Sequence, residues 1–414
     1  MRTVITGIGM VTPVGLDAPS SWATLLAGGS GIAEITQFDA SEIPIRVAGE
    51  VKGFDPAGLV GHKEARRLDR NVLLSIAAAD EAIRDASLSV SLAGSDRAGV
   101  LFGTAIGGFI TMMEQHDILR DRGPDRVSPH FLPMCLPDSA SGAIAQRFDL
   151  RGPNYAPISA CSTGAHAVGE ASELIRRGHA DVVLAGGAEA CIHPLIFAGF
   201  TNMRGLGAPR AGEGPETASR PFDATRGGFV CSEGATVVVV EALEHARARG
   251  ATIYAEVLGH GNSNDAYNAV TPRPDSSGVI AMIEQSLQRS GIERERVGYV
   301  NPHGSATPLG DAAESAALER VFGAHAASLA VSSTKSATGH QFGGAGSFEI
   351  AVCALALRDG IVPPTLNYRD PDPECRLDYV TEGARRLDLD VALSNSMGLG
   401  GHNGCVLLGR LDVT

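Results

Sequence analysis

Short runs of β-branched residues alternate with amphipathic or alanine-rich stretches along the whole chain. This alternation is typical of an α/β protein whose sheets are covered by helices. The predicted strands span residues 2–8, 98–102, 181–185, 235–241, 253–259, 297–301, 328–332, 392–396 and 405–408. The predicted helices span residues 72–86, 139–148, 165–177, 278–290, 311–321 and 347–357.

Length and composition limit the class of protein. A chain of 414 residues with 44% hydrophobic and 20% charged residues is able to bury a large core. Its apolar runs are far shorter than the roughly 20 residues of a membrane helix, and the N-terminus lacks a basic and then apolar leader. We therefore expect a soluble, cytoplasmic protein with no membrane attachment. The net charge of −13 argues against a nucleic acid as the main partner, because phosphate binding requires a basic surface.

The seven cysteines are scattered and never form a CxxC pair. This spacing indicates neither a disulfide framework nor a zinc knuckle. At most one or two cysteines are expected to carry chemistry.

A polar segment at residues 244–250 lies between two predicted strands and ends in a glycine suited to a helix C-cap. We place the boundary between two halves there, with residues 1–248 in the first half and residues 249–414 in the second. A loose repeat supports duplication, because residues 159–164 and 336–340 are both rich in Ser, Thr or Gly and both precede an alanine-rich helix. Such residues are also ordinary helix caps, so the repeat alone does not establish duplication.

Cys161 directly precedes a predicted helix, so its sulfur is expected beside a helix N-terminus. Unpaired amides and the helix dipole stabilise a thiolate there, which would lower the pKa of the thiol. The small neighbouring residues leave room for a substrate carbonyl, and a backbone N–H of the turn is able to donate to an oxyanion. The alternative is a buried structural cysteine.

Two histidines and a lysine lie in turns that follow predicted strands. His303 follows the strand at residues 297–301, and Lys335 and His340 follow the strand at residues 328–332. A cysteine with two histidines suits acyl transfer followed by carbanion formation. A neutral imidazole is able to donate to a thioester enolate while the sulfur holds the acyl group.

Other interpretations of these residues stay open. Each histidine, taken alone, is compatible with a structural hydrogen-bonding role. A zinc site made of Cys161, His303 and His340 has suitable ligand types but lacks the close spacing typical of such sites. The SxxK string at residues 332–335 is also typical of serine acyl-enzymes of the β-lactamase type, but neither an SDN nor a KTG string accompanies it.

A glycine-rich segment at residues 395–404 lies between the last two predicted strands. It lacks the GxGxxG pattern and no helix follows it, so a nucleotide loop is not indicated. Its apolar residues Met397 and Leu399 are able to line or close an apolar channel. A purely structural hairpin is the alternative.

These segments, in this order and at these separations, resemble the elongating β-ketoacyl-acyl-carrier-protein synthases of fatty acid and type II polyketide synthesis. The resemblance extends from residues 4–15 to the final strand. It implies a duplicated thiolase-type fold, which is a five-layer α/β/α/β/α sandwich, and a dimer. It also implies decarboxylative condensation of an acyl group with malonyl-acyl-carrier protein, with no cofactor apart from the phosphopantetheine arm that the carrier protein brings.

The resemblance further implies roles for single residues. Cys161 would accept the acyl group, the two histidines would promote decarboxylation, and Lys335 would tune the site while paired with Glu314. The backbone amides of Cys161 and Leu399 would form the oxyanion hole. The implied catalytic set is Cys161, His303, His340, Lys335 and Glu314.

Substrate and carrier contacts are implied in the same way. Ser305 and Thr307 match positions that bind the pantetheine arm. The implied substrate-contacting residues are Ser305, Thr307, Met397, Leu399 and Phe229. The implied carrier-docking residues are Lys63, Arg66, Arg67, Arg204 and Arg210. No metal is required, although Asn301, Glu349 and Asn395 match a monovalent-cation site of the family.

The chain departs from the family pattern at the gating loop, where Met397 and Leu399 stand in place of the usual phenylalanine. This departure keeps a type II polyketide ketosynthase, paired in a heterodimer with a chain-length factor, as an alternative to fatty acid elongation. A non-catalytic scaffold and a plain thiolase are further alternatives. The presence of Cys161 favours a catalytic subunit.

Overall fold

The computed structural model describes residues 1–88 and 92–411. Its strands are β1 (Thr3–Val11), β2 (Ile32–Glu34), β3 (Val47–Gly49), β4 (Ala98–Thr104), β5 (Asn154–Tyr155), β6 (Val182–Glu189), β7 (Gly234–Ala242), β8 (Ala255–Asn264), β9 (Val297–Asn301), β10 (Ala330–Val331), β11 (Ile361–Val362), β12 (Arg385–Arg386), β13 (Val391–Gly398) and β14 (His402–Gly409). Its helices are α1 (Ala18–Leu26), α2 (Pro56–Val60), α3 (His62–Ala65), α4 (Arg70–Asp85), α5 (Phe109–Arg122), α6 (Phe131–Cys135), α7 (Ser139–Phe148), α8 (Thr163–Arg176), α9 (Pro194–Asn202), α10 (Leu243–Ala248), α11 (Ser277–Ser290), α12 (Pro308–Phe322), α13 (Lys335–Thr338) and α14 (Ala345–Asp359).

The main sheet shows a duplication. Its strand order is β10-β9-β13-β14-β8-β1-β7-β6-β4-β5, so five strands from each half of the chain lie together. Numbered in chain order within each half, both groups of five have the order 3-2-4-5-1 from the outer edge. Corresponding neighbours are also parallel or antiparallel in the same way in both groups. The two groups join where Val4 and Ile5 of β1 pair with Glu256 and Ala255 of β8.

Two central helices pack between the two groups of strands, which remain joined through β1 and β8. Both α8 and α14 contact strands of both groups and contact each other. Every residue of α14 from Ala345 to Leu357 is buried, as expected for a helix surrounded by protein. Helices α4 and α7 cover the outer face of the first group. Helix α11 lies on β8 and β14 of the second group, and α12 packs against α11. The predicted duplicated α/β/α/β/α sandwich is confirmed.

Several predicted elements have the observed bounds or nearly so. The helix at residues 139–148 and the strand at residues 297–301 match α7 and β9. The strand predicted at residues 328–332 is only two residues long in β10, because the 3-10 helix Gly323–Ser328 runs up to it. Helix α10 connects the two groups of strands where the segment at residues 244–250 was expected to divide the chain; the division into two domains stays a prediction.

No helix within the described residues has the length and hydrophobicity needed to cross a membrane.

Candidate active site

Three strand-end turns converge on one cavity. The turn after β5 presents Cys161, the turn after β9 presents His303, and the segment after β10 presents His340. We call this space, of about 680 Å³ including its mouth, the Cys161 cavity. It is lined by Cys161, Phe200, Phe229, Asp265, Asn268, Val270, Thr271, Pro272, His303, Ser305, Thr307, Gly310, His340, Phe342, Met397, Gly398, Leu399, Gly401 and Asn403.

Cys161 lies in a single 3-10 turn, Ala160–Ser162, directly before α8. The turn is strained, since Ala160 has a φ of +52° without being glycine. Burial raises the pKa of the Cys161 thiol to about 12, although the charge of Lys335 and the amide of Leu399 act in the opposite direction. The expectation of a lowered pKa was therefore wrong for the resting protein. Loss of water around the sulfur outweighs the helix N-terminus.

The two backbone amides predicted to form an oxyanion hole lie side by side. The N–H of Leu399 is within hydrogen-bonding reach of the Cys161 sulfur. A Cβ atom on Gly398 would lie 3.1 Å from the backbone nitrogen of Cys161, so the hairpin of β13 and β14 packs directly on the cysteine turn. The hydroxyl of Ser162, 2.9 Å from the carbonyl oxygen of His402, fastens this contact.

The rings of His303 and His340 are in edge-to-face contact in the wall of the cavity. Their ring centroids are 5.1 Å apart and the rings are nearly perpendicular, at 85°. Burial, together with the charge of Lys335, holds the pKa of each imidazole well below its usual value. Both rings are therefore neutral near pH 7. The buried Nδ1 atom of each ring has no hydrogen-bond partner among the described residues.

The predicted pairing of Lys335 with Glu314 was wrong. The Lys335 ammonium forms its ion pair with Glu349 on α14, and both side chains are buried. Glu314 instead accepts hydrogen bonds from the backbone amides of His303 and Gly304, both at 2.8 Å. It therefore holds the turn that presents His303.

A second acid on α12, which sequence reasoning missed, supports the same turn. Asp311 accepts from the amide of Ala306 at 3.1 Å and from that of Phe222 at 2.8 Å. Ala306 has a φ of +67°, so this turn is also strained and needs outside support. Burial raises the pKa of Asp311 to about 7, while the amides and Arg226 act to lower it. The only sequence signal was an acidic residue in the first turn of a helix.

Family comparisons agree with this geometry. The N-terminal domain model of β-ketoacyl synthases matches residues 1–246, and the C-terminal domain model matches residues 254–369. This chain belongs to the β-ketoacyl synthase family. It is an enzyme of the acyltransferase class.

Full-length relatives include the 3-oxoacyl-[acyl-carrier-protein] synthase 2 of Coxiella burnetii, which is 44% identical over 99% of both chains. A solved ishigamide ketosynthase/chain length factor structure is 32% identical, with a TM-score of 0.91 over 99% of both chains. A solved type II polyketide synthase ketosynthase, bound to a hexaketide and in complex with its acyl-carrier protein, is 30% identical, with a TM-score of 0.91 over 99% of both chains.

All the residues predicted to contact substrate line the Cys161 cavity of this ketosynthase-family chain. Ser305 and Thr307 lie with their hydroxyls 3.0 Å apart. Sequence reasoning missed two phenylalanines that line this cavity, Phe200 and Phe342, which stack with ring centroids 5.5 Å apart. Phe229 packs edge-on against the His340 ring at 5.6 Å. Phe229 was predicted, but Phe200 and Phe342 are far apart in the sequence, and only the fold brings them together.

Four of the five predicted carrier-docking residues are exposed in the structure, and the fifth is not. Lys63, Arg66, Arg67 and Arg204 are exposed. The docking role predicted for Arg210 was wrong. Its side chain is only 15% exposed and forms ion pairs with Asp223 at 2.8 Å and Asp370 at 2.9 Å. Its charge is neutralised within the chain. None of the five lines the Cys161 cavity.

The residues of the predicted cation site are buried near Lys335. Asn301, Glu349 and Asn395 are fully buried. Oδ1 of Asn301, Oε2 of Glu349 and Oδ1 of Asn395 have no hydrogen-bond partner in the described part of the chain. Oxygen atoms of this kind suit hard cations. Within residues 1–88 and 92–411, no group of three or more His, Cys, Asp or Glu residues is arranged to hold a metal ion.

Proposed function

We propose that this enzyme elongates fatty acids by decarboxylative Claisen condensation of an acyl group on Cys161 with malonyl-acyl-carrier protein. The observation that carries the proposal is that Cys161, His303 and His340 line one cavity. A sulfur and two neutral imidazoles that line the same cavity provide a covalent acyl carrier and two N–H donors in one space. The similarity to the 3-oxoacyl-[acyl-carrier-protein] synthase 2 of Coxiella burnetii supports the same substrates.

In the first step, the Cys161 sulfur attacks the acyl thioester. A new carbon–sulfur bond forms, the carrier's carbon–sulfur bond breaks, and the thiol proton passes to the departing carrier sulfur. The amides of Cys161 and Leu399 donate to the oxygen that becomes negative. Lys335 assists by favouring the thiolate in a buried site.

In the second step, the malonyl group loses CO2. The bonding electrons move onto the thioester to form an enolate, whose oxygen accepts from the neutral rings of His303 and His340. The enolate carbon then attacks the acyl carbonyl on Cys161. Collapse of the tetrahedral intermediate breaks the bond between the acyl carbon and the Cys161 sulfur. The released thiolate then takes up from solvent the one proton that the overall reaction consumes. The lowered pKa of both rings keeps them uncharged donors for this step.

A cysteine substitution tests the proposal. Cys161→Ala is expected to abolish product formation from acyl and malonyl carrier proteins, read by product mass and CO2 release. Cys135→Ala, at a buried thiol outside the Cys161 cavity, is the matched control and should retain activity. Full condensation by Cys161→Ala would overturn the proposal and favour a scaffold. Condensation without CO2 release would favour a thiolase.

A ketosynthase of a polyketide pathway is the second candidate. It is favoured by Met397 and Leu399 at the cavity wall in place of phenylalanine, and by the likeness to solved polyketide ketosynthases. Incubation with carrier proteins bearing acyl chains of increasing length separates the two. A single condensation on a fully reduced acyl chain supports fatty acid elongation. Repeated condensation that occurs only when a co-purified partner chain is present supports the polyketide alternative.

We propose that an acyl carrier protein docks on the exposed basic residues Lys63, Arg66, Arg67 and Arg204. A negatively charged partner is attracted to such residues even when the whole protein is acidic. No cofactor beyond the carrier's phosphopantetheine arm enters the proposal. Reversing the charge of Arg66 or Arg204 should raise the KM for the carrier-bound substrate without changing kcat.

We also propose that two copies form a homodimer through β5. This strand ends the main sheet, and both of its residues are exposed. Leu132, Leu136 and Ile158 are also exposed, by 63%, 49% and 53%. An open strand edge together with apolar residues favours pairing with a second copy. Light scattering should give a mass of two chains, and Leu132→Asp should lower it to one.

A monovalent cation held by the oxygen atoms of Asn301, Glu349 and Asn395 is a further proposal. It would be bound by the side-chain oxygens of these residues that have no hydrogen-bond partner in the described part of the chain. Replacing potassium and sodium with tetramethylammonium, which is too large for a buried oxygen site, should lower the melting temperature.

Since all seven cysteines are free thiols, we also propose a reducing, cytoplasmic location.

A further inference from the structure

His166 joins two parts of the site that are far apart in the sequence. It lies on α8, and its Nδ1 atom is 2.6 Å from the hydroxyl of Ser159, two residues before Cys161. Its Nε2 atom is 3.2 Å from the backbone carbonyl oxygen of Asn403 on β14. One ring thus bridges the turn that carries Cys161 and the hairpin that carries Leu399.

The partners of the ring fix its tautomer. A carbonyl oxygen only accepts, so Nε2 donates to Asn403. Nδ1 of the neutral ring then accepts from the hydroxyl of Ser159. Burial lowers the pKa of His166, which favours the neutral ring. The bridge therefore requires one donor and one acceptor, set at the spacing of the two imidazole nitrogens.

Two glycines allow the hairpin to approach this bridge. A Cβ atom on Gly404 would lie 2.7 Å from Nε2 of His166, and one on Gly398 would lie 2.8 Å from the carbonyl oxygen of Ser159. Real Cβ atoms do not make contacts this short, so any larger residue would push the hairpin away from the turn. The two glycines thus allow the hairpin to lie close to the cysteine turn at the point where His166 bridges them.

We propose that His166 is a positioning residue that holds the amide of Leu399 beside that of Cys161, at the spacing an oxyanion requires. The ring does not line the Cys161 cavity but an outer pocket that also includes Ser159 and Glu170. It therefore acts through the two elements it joins and does not touch substrate. The inference rests on the proposed acylation of Cys161.

The test compares two reactions of the same sulfur. Acylation by an acyl-carrier thioester builds an oxyanion, whereas alkylation by iodoacetamide builds none. His166→Asn keeps an amide near the Nδ1 position and His166→Gln keeps one near Nε2, so each retains one end of the bridge. Both variants should acylate Cys161 about tenfold more slowly, which is less than the 10²–10³ effect of removing an oxyanion donor outright. Alkylation should stay within twofold of wild type, and the KM for the carrier should not change.

Ser159→Ala removes the other end of the bridge without adding bulk and keeps the test valid if the histidine variants fail to fold. Its acylation should fall to the same extent, and combining it with His166→Gln should add little. Glu170→Gln, in the same outer pocket, is the control and should behave as wild type. Unchanged acylation, or an equal loss of acylation and alkylation, would overturn the inference. Failure of wild-type Cys161 to acylate at all would instead overturn the proposed function.

Discussion

The ammonium of Lys335 is paired with the carboxylate of Glu349, and both groups are almost completely shielded from solvent. Removing one member of such a pair leaves an uncompensated buried charge, with a loss of about 3–5 kcal/mol. Lys335→Met should therefore lower the free energy of unfolding by about that amount, measured with denaturant. Adding Glu349→Gln should restore part of it. Equal stability of the single and double variants would contradict the pairing.

Glu314 should affect decarboxylation more than acylation, because it supports the turn of His303 and not that of Cys161. In Glu314→Gln a single side-chain oxygen replaces the two that accept from His303 and Gly304. We expect loss of one buried hydrogen bond, worth about 1–3 kcal/mol of stability, and about tenfold slower CO2 release. The rate at which Cys161 accepts an acyl group should change little. An equal loss in both half-reactions would contradict this role.

The reactivity of Cys161 should rise with pH over an unusually wide range. Because burial raises the pKa of its thiol to about 12, the thiolate fraction grows about tenfold per pH unit throughout the accessible range. The rate of alkylation by iodoacetamide should therefore increase from pH 6 to pH 10 without a plateau. A plateau near neutral pH would show a lowered pKa and contradict the burial argument.

The neutral histidines make a separate prediction about pH. The pKa values of His303 and His340 lie well below that of a free imidazole, 6.5, so neither ring gains a proton as pH falls through that value. Malonyl decarboxylation should show no inflection near pH 6.5. The unfolded chain does bind these protons. The contribution of the two histidines to the free energy of unfolding should therefore be complete above pH 6.5 and should decrease as pH falls below that value. Decarboxylation that halves near pH 6.5 would contradict neutral donors.

Arg210 and Arg204 should respond differently to substitution. Arg210→Ala leaves Asp223 buried without its partner, so we expect a lower melting temperature and an unchanged KM for the carrier-bound substrate. Arg204→Ala, at an exposed arginine, should leave the melting temperature unchanged and raise the KM. The reverse pattern would restore Arg210 to the docking surface.

The turns that carry the reactive side chains were easier to predict from the sequence than the contacts between side chains of different elements. Strand-end turns placed Cys161, His303 and His340 correctly in one cavity, because the alternation of strands and helices brings such turns to one side of a sheet. The sequence did not identify the partner of Lys335, since Glu314 and Glu349 lie on two different buried helices and only packing decides between them.

Burial and exposure were the least predictable properties. The helix N-terminus beside Cys161 was visible in the sequence, but the desolvation that dominates its pKa was not. Helix α5 was missed because its apolar residues Met112 and Leu119 are 38% and 48% exposed and form no core-facing stripe. His166 escaped notice because its two partners are 7 and 237 residues away, a relation that no local pattern encodes.

Mass spectrometry of the enzyme in two stages tests the central claim most directly. After incubation with an acyl-carrier thioester, the peptide containing Cys161 should gain the mass of the acyl group. Adding malonyl carrier protein should remove that mass, release CO2 and yield the extended β-ketoacyl carrier. An acyl group on any other residue, or one that persists on Cys161 while malonyl carrier is decarboxylated, would contradict the account.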